Sequence, residues 1–587
     1  MSGFLQALMS GTRGIELAYG VTLAGMLFAC IRARAPWMTL LLTPFFAAPV
    51  FLIAALSLPL ISPLLRDLGI GPFSLGRVIF GALFCAGAGN LAGRQIVARS
   101  ASAVPSYHRG AIVSAQPAAG RADPDNPDAI RIAGVPVKPE DETKHFKLIG
   151  TTGTGKSTAI QELLAAALAR GDRAIIADPD SGYLRRFYEP DRDVILNPFD
   201  GDARKWDLFG EIIHDYDVDH LARSLIPDSG SLDRSWNEYA RIFFSALVQQ
   251  AIRAGTPNDV ELYRLIKSAS VAELRMLLGG TAAGPFLDEG NEKMFGSIRS
   301  IASSATRPLE YTTRQLATPL SVRQWVRQGA ARHAGGNGGV LFLPYSAGEI
   351  AALRSMISAW MRLGIFEAME LDEGDQRLWF VVDELDALGA IDGLKDALAR
   401  LRKFGGRCVL GFQSIGQVSA TYDKGTAETI VENCGNTLIL RCSASEHGGT
   451  AEFASKLIGQ REVLHTTRSR TRKPTDWMAS TTTSRQLRTE PAVMASEVER
   501  LPDLTGYLKI ASNPDWLAVK LTPITETTKP RQRKPAILAP DPAAAPSPPV
   551  PPTAELSTRA GSQGVARPRR ARTTPPPANR RQPKAPD

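Results

Sequence analysis

The chain has 587 residues, 68 of them Lys or Arg and 59 Asp or Glu, which gives a net charge of +9. This length exceeds one typical domain, and a hydrophobic fraction of 44% excludes a chain that is disordered throughout. Five cysteines without a CxxC pair exclude a disulfide scaffold and argue against a zinc site. Residues 1–112 carry +6 and residues 527–587 carry +9, so the body, residues 113–526, carries −6. The basic character therefore belongs to the two ends.

The first 112 residues contain apolar stretches that are typical of a membrane anchor. Residues 37–61 are 25 consecutive residues without a charge, more than the roughly 20 that a helix needs to cross a bilayer. A second span is predicted near residues 72–93. Arginines flank this pair on its outer sides, which predicts a two-helix hairpin with both ends in the cytoplasm. The shorter run over residues 17–31 is either an interfacial helix or a further span.

A glycine-rich motif follows in a strand–loop–helix setting. Residues 145–149 have the pattern of a short strand, residues 150–157 read GTTGTGKS, and an apolar-periodic helix is predicted over residues 158–169. This is the P-loop pattern, in which backbone N–H groups surround phosphate. We expect Lys156 to reach the β- and γ-phosphates and the Ser157 hydroxyl to ligate Mg²⁺. The predicted nucleotide-binding residues are Gly150, Thr151, Thr152, Gly153, Thr154, Gly155, Lys156, Ser157 and Thr158.

Strand patterns disappear between residues 213 and 328, where capping boxes at 235–238 and 270–273 predict helices. The segment holds 13 basic and 13 acidic residues, so its overall charge does not indicate a DNA-binding module. Its last part is basic, with Glu310 as its one acidic residue; the basic residues are Lys293, Arg299, Arg307, Arg314, Arg323 and Arg327. Such a surface suits phosphates without base recognition, and Arg299, Arg307 and Arg314 are the candidates. A solvated helix face explains the pattern equally well.

A second acidic element completes the nucleotide motif. Residues 377–382 form an apolar strand that ends in Asp383 and Glu384. We expect Asp383 to hold Mg²⁺ through water and Glu384 to polarise the attacking water. Further strands are predicted over residues 173–177, 194–196, 340–343, 408–412 and 437–441, with helices between several of them.

This alternation predicts an α/β fold with a mostly parallel sheet and a ligand at the carboxyl ends of the strands. Asp178, Asp383 and Gln413 follow such strands. Gln413 is either a γ-phosphate sensor or an ordinary turn amide.

Two polar segments follow the predicted sheet. Residues 461–488 contain six arginines and one lysine among many Thr and Ser. This composition is compatible with the lining of a channel and with a solvated loop, and it slightly favours the loop. Residues 527–587 contain 15 prolines and 12 basic residues with few large apolar side chains. A segment of this composition is predicted to be disordered and partly polyproline-like. It either contacts DNA, acidic lipid or a partner protein, or only aids solubility.

The ordered set of motifs resembles the type IV secretion coupling proteins of bacterial conjugation, the TraD/TrwB-type membrane ATPases. The resemblance covers roughly residues 130–520. The matching segments are residues 132–137, 142–145, 171–173, 178–179, 195–198, 382–385, 402–403, 411–414 and 501–504. Phe412 stands where leucine is usual in the family, an apolar exchange without chemical consequence.

The resemblance implies a RecA-like P-loop motor domain with an inserted all-α domain, an N-terminal transmembrane hairpin and a disordered tail. The implied boundaries are 1–112 for the anchor, 113–212 and 329–526 for the motor, 213–328 for the insertion and 527–587 for the tail. Family roles carry over to Lys156, Ser157, Asp383, Glu384 and Gln413. They also suggest Arg402 as a finger that reaches a neighbouring subunit's nucleotide, with Arg400 and Arg407 as alternatives nearby.

The implied function is an inner-membrane, hexameric ATPase that uses ATP and Mg²⁺ to move DNA to a type IV secretion channel. Its motor faces the cytoplasm, and its cargo is relaxase-bound DNA, expected to be single-stranded and handled without sequence preference. The alternative is a membrane receptor that recruits protein substrates, with nucleotide as an assembly switch. A pilus-assembly ATPase is disfavoured by the membrane hairpin and the helical insertion.

Overall fold

The computed structural model describes residues 12–32, 40–54, 75–100, 106–115, 129–227, 234–332, 339–374, 376–444, 449–471, 480–523 and 533–539. The chain divides into one compact unit, Met1–Leu538, and a second, Ala539–Asp587, of which Ala539 alone is described.

The strands, in chain order, are β1 (Ser106–Gly110), β2 (Val113–Ala115), β3 (Arg131–Ile132), β4 (Val135–Pro136), β5 (Phe146–Ile149), β6 (Arg173–Pro179), β7 (Val194–Ile195), β8 (Lys205–Trp206), β9 (Pro319–Leu320), β10 (Val340–Tyr345), β11 (Leu378–Val382), β12 (Gly406–Phe412), β13 (Asn436–Ile439), β14 (Gln460–Thr471), β15 (Ser480–Pro491), β16 (Thr505–Lys509) and β17 (Trp516–Lys520).

The described helices are α1 (Thr12–Arg32), α2 (40–54), α3 (Leu75–Ser100), α4 (Pro139–Glu142), α5 (Lys156–Ala169), α6 (Gly182–Phe187), α7 (Asp217–Leu225), α8 (Arg234–Arg253), α9 (Asp259–Lys267), α10 (Val271–Leu278), α11 (Glu292–Ala305), α12 (Leu309–Thr312), α13 (Val322–Arg332), α14 (Ile350–Ala368), α15 (Leu394–Leu401), α16 (Ile415–Tyr422), α17 (Lys424–Asn433), α18 (Gly449–Ile458) and α19 (Ala495–Glu499).

A ten-stranded sheet organises the body, with the order β2-β17-β16-β13-β5-β12-β11-β6-β10-β7. The strands from β13 to β7 are parallel, whereas β16 runs antiparallel to β13. The predicted α/β fold with a mostly parallel sheet is confirmed. Every residue of β10 and β11 is buried, because helices cover both faces of such a sheet. Along β6, Ile175 and Ala177 join the core on one face and Ala174 and Ile176 the core on the other.

Among the described residues between β8 and β9 the regular structure is helical, as predicted, but β9 itself lies inside the segment 213–328 that was predicted to lack strands. These two short strands pair in parallel where the chain leaves and rejoins the sheet region. The buried carboxylate of Glu211 connects the chain at β8 to the chain just after β9. It accepts hydrogen bonds from Trp206 Nε1 (2.8 Å), Ser321 Oγ (3.0 Å) and Val322 N (2.7 Å). Ser270 caps α10 as predicted, with its Oγ 3.2 Å from Glu273 N. Ser235 differs from its prediction as a cap, because it already lies within α8.

The N-terminal helices α1 and α3 pack through glycines. A Cβ at Gly89 would lie 2.1 Å from the Thr22 carbonyl oxygen, and one at Gly25 would lie 2.3 Å from that of Ala86, so the backbones are in contact at both points. Within the described ranges, no helix has both the length and the apolar character required to cross a bilayer. The predicted span over residues 37–61 includes 37–39 and 55–61, which lie outside those ranges.

Residues 461–471 and 480–488 lie in the strands β14 and β15, which pair antiparallel with each other, and the first residues of β14 pair with β1. There Glu462 pairs with Arg109 (2.8 Å) and Glu490 with Arg461 (2.9 Å). Arg485 and Arg488 are exposed. Arg472 and Lys473 lie outside the described residues, as do the side chains of Arg468 and Arg470.

Part of the tail differs from its prediction of disorder. Residues 533–538 are described and contact the body: the guanidinium of Arg533 donates to both carboxylate oxygens of Glu349 (2.7 and 3.0 Å). Gly201 N donates to Lys534 O (2.8 Å) and Ala536 N to Phe199 O (3.2 Å). Backbone hydrogen bonds and an ion pair order this stretch despite its small apolar content. The rest of the predicted tail lies outside the described residues.

Candidate functional site

The glycine-rich loop joins the end of β5 to the start of α5. Gly153 and Gly155 have φ values of +79° and +117°, a region that favours glycine. A Cβ at Gly155 would also lie 2.9 Å from the side chains of Leu504 and Leu521. The loop therefore requires glycine at these positions, and it places the N-terminal amides of α5 at the carboxyl edge of the sheet.

Lys156 lies at the first position of α5 and its side chain curls back over the loop. Its Nζ donates to the carbonyl oxygens of Gly150 (2.6 Å) and Thr151 (3.4 Å). Burial lowers the pKa of Lys156, and the nearby Asp383 and Glu384 carboxylates oppose this shift. The arrangement holds a cation inside the curve of the loop, where a phosphate group would need one.

Asp383, at the end of β11, receives two hydroxyl groups on one oxygen. Ser157 Oγ donates to its Oδ2 at 2.6 Å and Tyr183 OH donates to the same atom at 2.8 Å. The other oxygen, Oδ1, is buried and has no hydrogen-bond partner among the described residues. Burial, reinforced by Asp383, raises the pKa of Tyr183 well above its usual value, so its hydroxyl remains a donor.

Glu384 and Gln413 are joined to the loop in a chain of side-chain hydrogen bonds. Gln413 Nε2 donates to Glu384 Oε1 at 2.6 Å, and Thr152 Oγ1 donates to Gln413 Oε1 at 2.9 Å. The amide thus connects the phosphate loop to the second carboxylate of β11. This geometry links three of the predicted site residues that are far apart in the chain.

The residues present fit a magnesium–nucleotide complex. Mg²⁺ prefers hard oxygen ligands and keeps several waters, with few protein ligands of its own. The Ser157 hydroxyl and the unpartnered Asp383 Oδ1 are such oxygens. Within the described ranges, no group of three or more His, Cys, Asp and Glu side chains forms a metal cage.

The arginine finger candidates have different surroundings. Arg402 follows α15 and is exposed, as is Arg400. Arg407 is 1% exposed and its Nε donates to Glu142 Oε2 at 2.8 Å. An interior position inside its own subunit does not suit Arg407 for contact with a neighbour.

Several of the basic residues in 293–327 hold the structure together. Arg299 Nε donates to the Ile266 carbonyl at 2.8 Å. Arg323 is buried and contacts Asp217 and Glu367, and Arg327 pairs with the same Glu367. Lys293 and Arg307 are exposed and Arg314 is half-buried. The predicted basic surface is therefore smaller than its composition indicates.

Sequence reasoning missed Tyr183. The sequence predicts Asp178 at a strand end, but a tyrosine five residues later carries no motif. Glu142 and His145, which belong to the matching segment 142–145 upstream of the loop, lie in the interior rather than in the site. Glu142 pairs with Arg170 (2.6 Å) as well as with Arg407.

Comparison with known proteins gives a consistent result. A family model described as the type IV secretion-system coupling protein DNA-binding domain matches residues 129–522. The coupling protein TraD of Escherichia coli (strain K12) is 29% identical over 396 residues, which cover 67% of this chain and 54% of TraD. The chain thus matches only about half the length of that relative.

Solved structures of the bacterial conjugative coupling protein TrwB are also similar. TrwBΔN70 in its unbound monoclinic form has a TM-score of 0.65 and 30% identity, and the match covers 74% of this chain and 97% of that one. The TrwB complex with ADP and Mg²⁺ has a TM-score of 0.63 and 30% identity, covering 73% and 97%. The α/β body therefore has the RecA-like motor fold of TrwB.

Proposed function

The chain belongs to the type IV secretion-system coupling proteins, and from this premise we propose that it is an ATPase that drives DNA transfer in bacterial conjugation. It binds ATP with Mg²⁺, hydrolyses the nucleotide and moves DNA toward a type IV secretion channel. The DNA is relaxase-bound, single-stranded and handled without sequence preference. The TrwB complexes with ADP and Mg²⁺ and with an ATP analogue support the choice of ligands.

The observation that carries this proposal is the linked set of contacts around Asp383 and Glu384. Ser157 and Asp383 together provide the Mg²⁺ site, and Lys156 provides the cation for the phosphates. Mg²⁺, when bound, neutralises charge that develops on the phosphate oxygens. Glu384 orients and polarises the attacking water, and Gln413 couples this carboxylate to the phosphate loop through Thr152.

We further propose the division of the chain and its assembly. The motor comprises residues 113–212 and 329–526, residues 213–328 form an inserted all-α domain, and residues 527–587 form a tail. Residues 1–112 anchor the protein in the inner membrane by a transmembrane hairpin, with the motor in the cytoplasm. The motor acts as a homohexamer in which the exposed Arg402 completes the neighbour's site.

One observation favours a second candidate function, a receptor that recruits protein substrates and uses nucleotide as an assembly switch. Arg299, Arg323 and Arg327 make structural contacts, which leaves a smaller basic surface for DNA. A receptor requires nucleotide binding but no DNA-stimulated turnover.

The test is ATP turnover by the purified full chain in detergent, with and without single-stranded DNA. We expect DNA to stimulate turnover, Lys156→Thr to lose nucleotide binding, and Glu384→Gln to bind nucleotide without hydrolysing it. Glu428→Gln, at an exposed residue of α17, is the matched control. If single-stranded DNA does not change the rate of ATP turnover while protein substrates still bind, the protein is a receptor and not a DNA translocase.

A further inference from the structure

Tyr183 is a buried residue whose hydroxyl reaches the carboxylate at the end of β11. Its side chain is 2% exposed and its OH donates to Asp383 Oδ2 at 2.8 Å. Phenylalanine would fill the same apolar space, so packing alone does not require this hydroxyl. The hydroxyl contributes one specific contact, and its acceptor is the residue that the proposed function assigns to Mg²⁺.

The position of Tyr183 is set by the neighbouring strand. Asp178, buried in β6, accepts hydrogen bonds from Tyr183 N (3.0 Å, Oδ1) and Leu184 N (2.7 Å, Oδ2). Asp180 and Ser181 adopt left-handed φ values of +53° and +57°, which turn the chain back so that α6 begins beside this carboxylate. The left-handed residues Asp180 and Ser181 and the buried Asp178 carboxylate therefore hold the backbone of Tyr183 in place.

The two strands place the tyrosine and its acceptor side by side. β6 and β11 are paired in parallel, with Ala177 opposite Val382, so Asp178 and Asp383 are the residues that directly follow this last pair. The tyrosine hydroxyl and Ser157 Oγ both bind Oδ2 of Asp383, and Oδ1 has no partner among the described residues. Two donors on one oxygen restrict rotation of the carboxylate and leave the second oxygen for another ligand.

We propose that Tyr183 is a positioning residue for magnesium, which holds Asp383 in the orientation that presents Oδ1 to the metal's hydration shell. This inference rests on the proposed nucleotide and Mg²⁺ site. A hydroxyl donor is required at this point because Ser157 by itself fixes the carboxylate from one side only. Tyr183 acts through Asp383, the carboxylate to which its hydroxyl donates.

The test is the Mg²⁺ dependence of binding of a fluorescent N-methylanthraniloyl-ADP to the full chain in detergent. Tyr183→Phe removes the hydroxyl and keeps the ring. Loss of a hydrogen bond to a charged group corresponds to about a tenfold effect, so we expect the Mg²⁺ concentration at half-maximal enhancement to rise about tenfold. Binding of the same nucleotide in EDTA should stay unchanged, because the phosphate loop is intact.

Tyr422→Phe is the matched control. Tyr422 is also buried, and its hydroxyl accepts from Ile391 N at 3.0 Å, away from the carboxylates of β11. We expect this variant to lower thermal stability without changing the Mg²⁺ dependence. An unchanged Mg²⁺ midpoint in Tyr183→Phe would overturn the inference, as would an equal shift in both variants. If the unsubstituted chain shows no Mg²⁺-dependent binding, the proposed function itself fails.

Discussion

The nucleotide site and the basic segment 293–327 were both predicted from residue type, yet their arginines, lysines and carboxylates behave differently. In the site, side-chain hydrogen bonds join Ser157 to Asp383, and Thr152 to Glu384 through Gln413, because strands β5, β11 and β12 end at the same edge of the sheet. In the basic segment, α11 and α13 direct arginines toward the interior, where carbonyls and carboxylates bind them. A motif that includes its backbone context predicts contacts, whereas a cluster of like charges does not.

The largest effect is expected in the site. Glu384→Gln should lower the ATP turnover rate by about 10²- to 10⁴-fold, because the amide cannot act as a general base. Nucleotide affinity should stay within about threefold, since Glu384 makes its contact with Gln413 rather than with Lys156. Turnover and fluorescent-nucleotide binding measured on the same preparation separate the two quantities. A parallel loss of affinity would contradict the assigned role.

The next largest effect is expected on the stability of the fold, when the buried carboxylate that binds two arginines of the basic segment is removed. Glu367→Gln leaves Arg323 and Arg327 without their shared carboxylate, and removing one partner of a buried ion pair typically destabilises by about 3 kcal/mol or more. Urea unfolding of the full chain measures the change. Arg307→Gln, at an exposed position of the same segment, should shift the free energy of unfolding by less than about 0.5 kcal/mol. Equal effects would erase the distinction between interior and exposed arginines.

The third prediction concerns His145, a residue of the matching segment 142–145 that lies in the interior. Its Nε2 donates to Leu398 O (2.9 Å) and its Nδ1 accepts from Cys408 N (3.1 Å), so the ring is neutral. Burial lowers the pKa of His145 from 6.5 to about 4, assisted by the positive Arg402 and Arg407. The unfolded chain binds this proton more readily, so the stabilisation present above pH 6.5 should fall by about 3 kcal/mol as the pH drops to 4.

The measurement is the free energy of unfolding as a function of pH. His145→Gln should flatten the pH dependence of the free energy of unfolding between pH 6.5 and 4, even if it lowers stability overall. An unaltered slope in His145→Gln would assign the acid sensitivity to other groups.

The smallest effect concerns DNA. Arg307→Gln should weaken binding of single-stranded DNA modestly and reduce the slope of log affinity against log salt by about 0.7, the contribution of one phosphate contact. Arg299→Gln should instead destabilise the fold by about 1 kcal/mol, because the Ile266 carbonyl loses its donor, and should leave the salt slope unchanged. Reversed outcomes would assign the phosphate contact to Arg299 rather than Arg307.

The tail and the N-terminal helices show where composition was insufficient. The proline-rich and basic composition of the tail predicts disorder. Arg533 nevertheless pairs with Glu349, and the backbone of Lys534 and Ala536 forms hydrogen bonds with the backbone of residues 199–201. The uncharged run over residues 17–31 is compatible with an interfacial helix and with a further membrane span. Its packing against α3 depends on glycines that allow the two backbones to touch, at Gly25 and Gly89. Both outcomes rest on contacts between distant parts of the chain.

The α/β class, the seven strands β5, β6, β7, β10, β11, β12 and β13, the phosphate loop and the two carboxylates after β11 follow from the sequence alone. These features depend on local periodicity and on short spacings that the backbone converts directly into geometry. Tertiary structure alone decided that Tyr183 meets Asp383, that Gln413 bridges Thr152 and Glu384, and that Arg323 and Arg407 lie in the interior. The physical reason is that sheet pairing and helix packing bring together side chains that are as much as 353 positions apart when they form a hydrogen bond, and no local pattern records which partner a side chain meets.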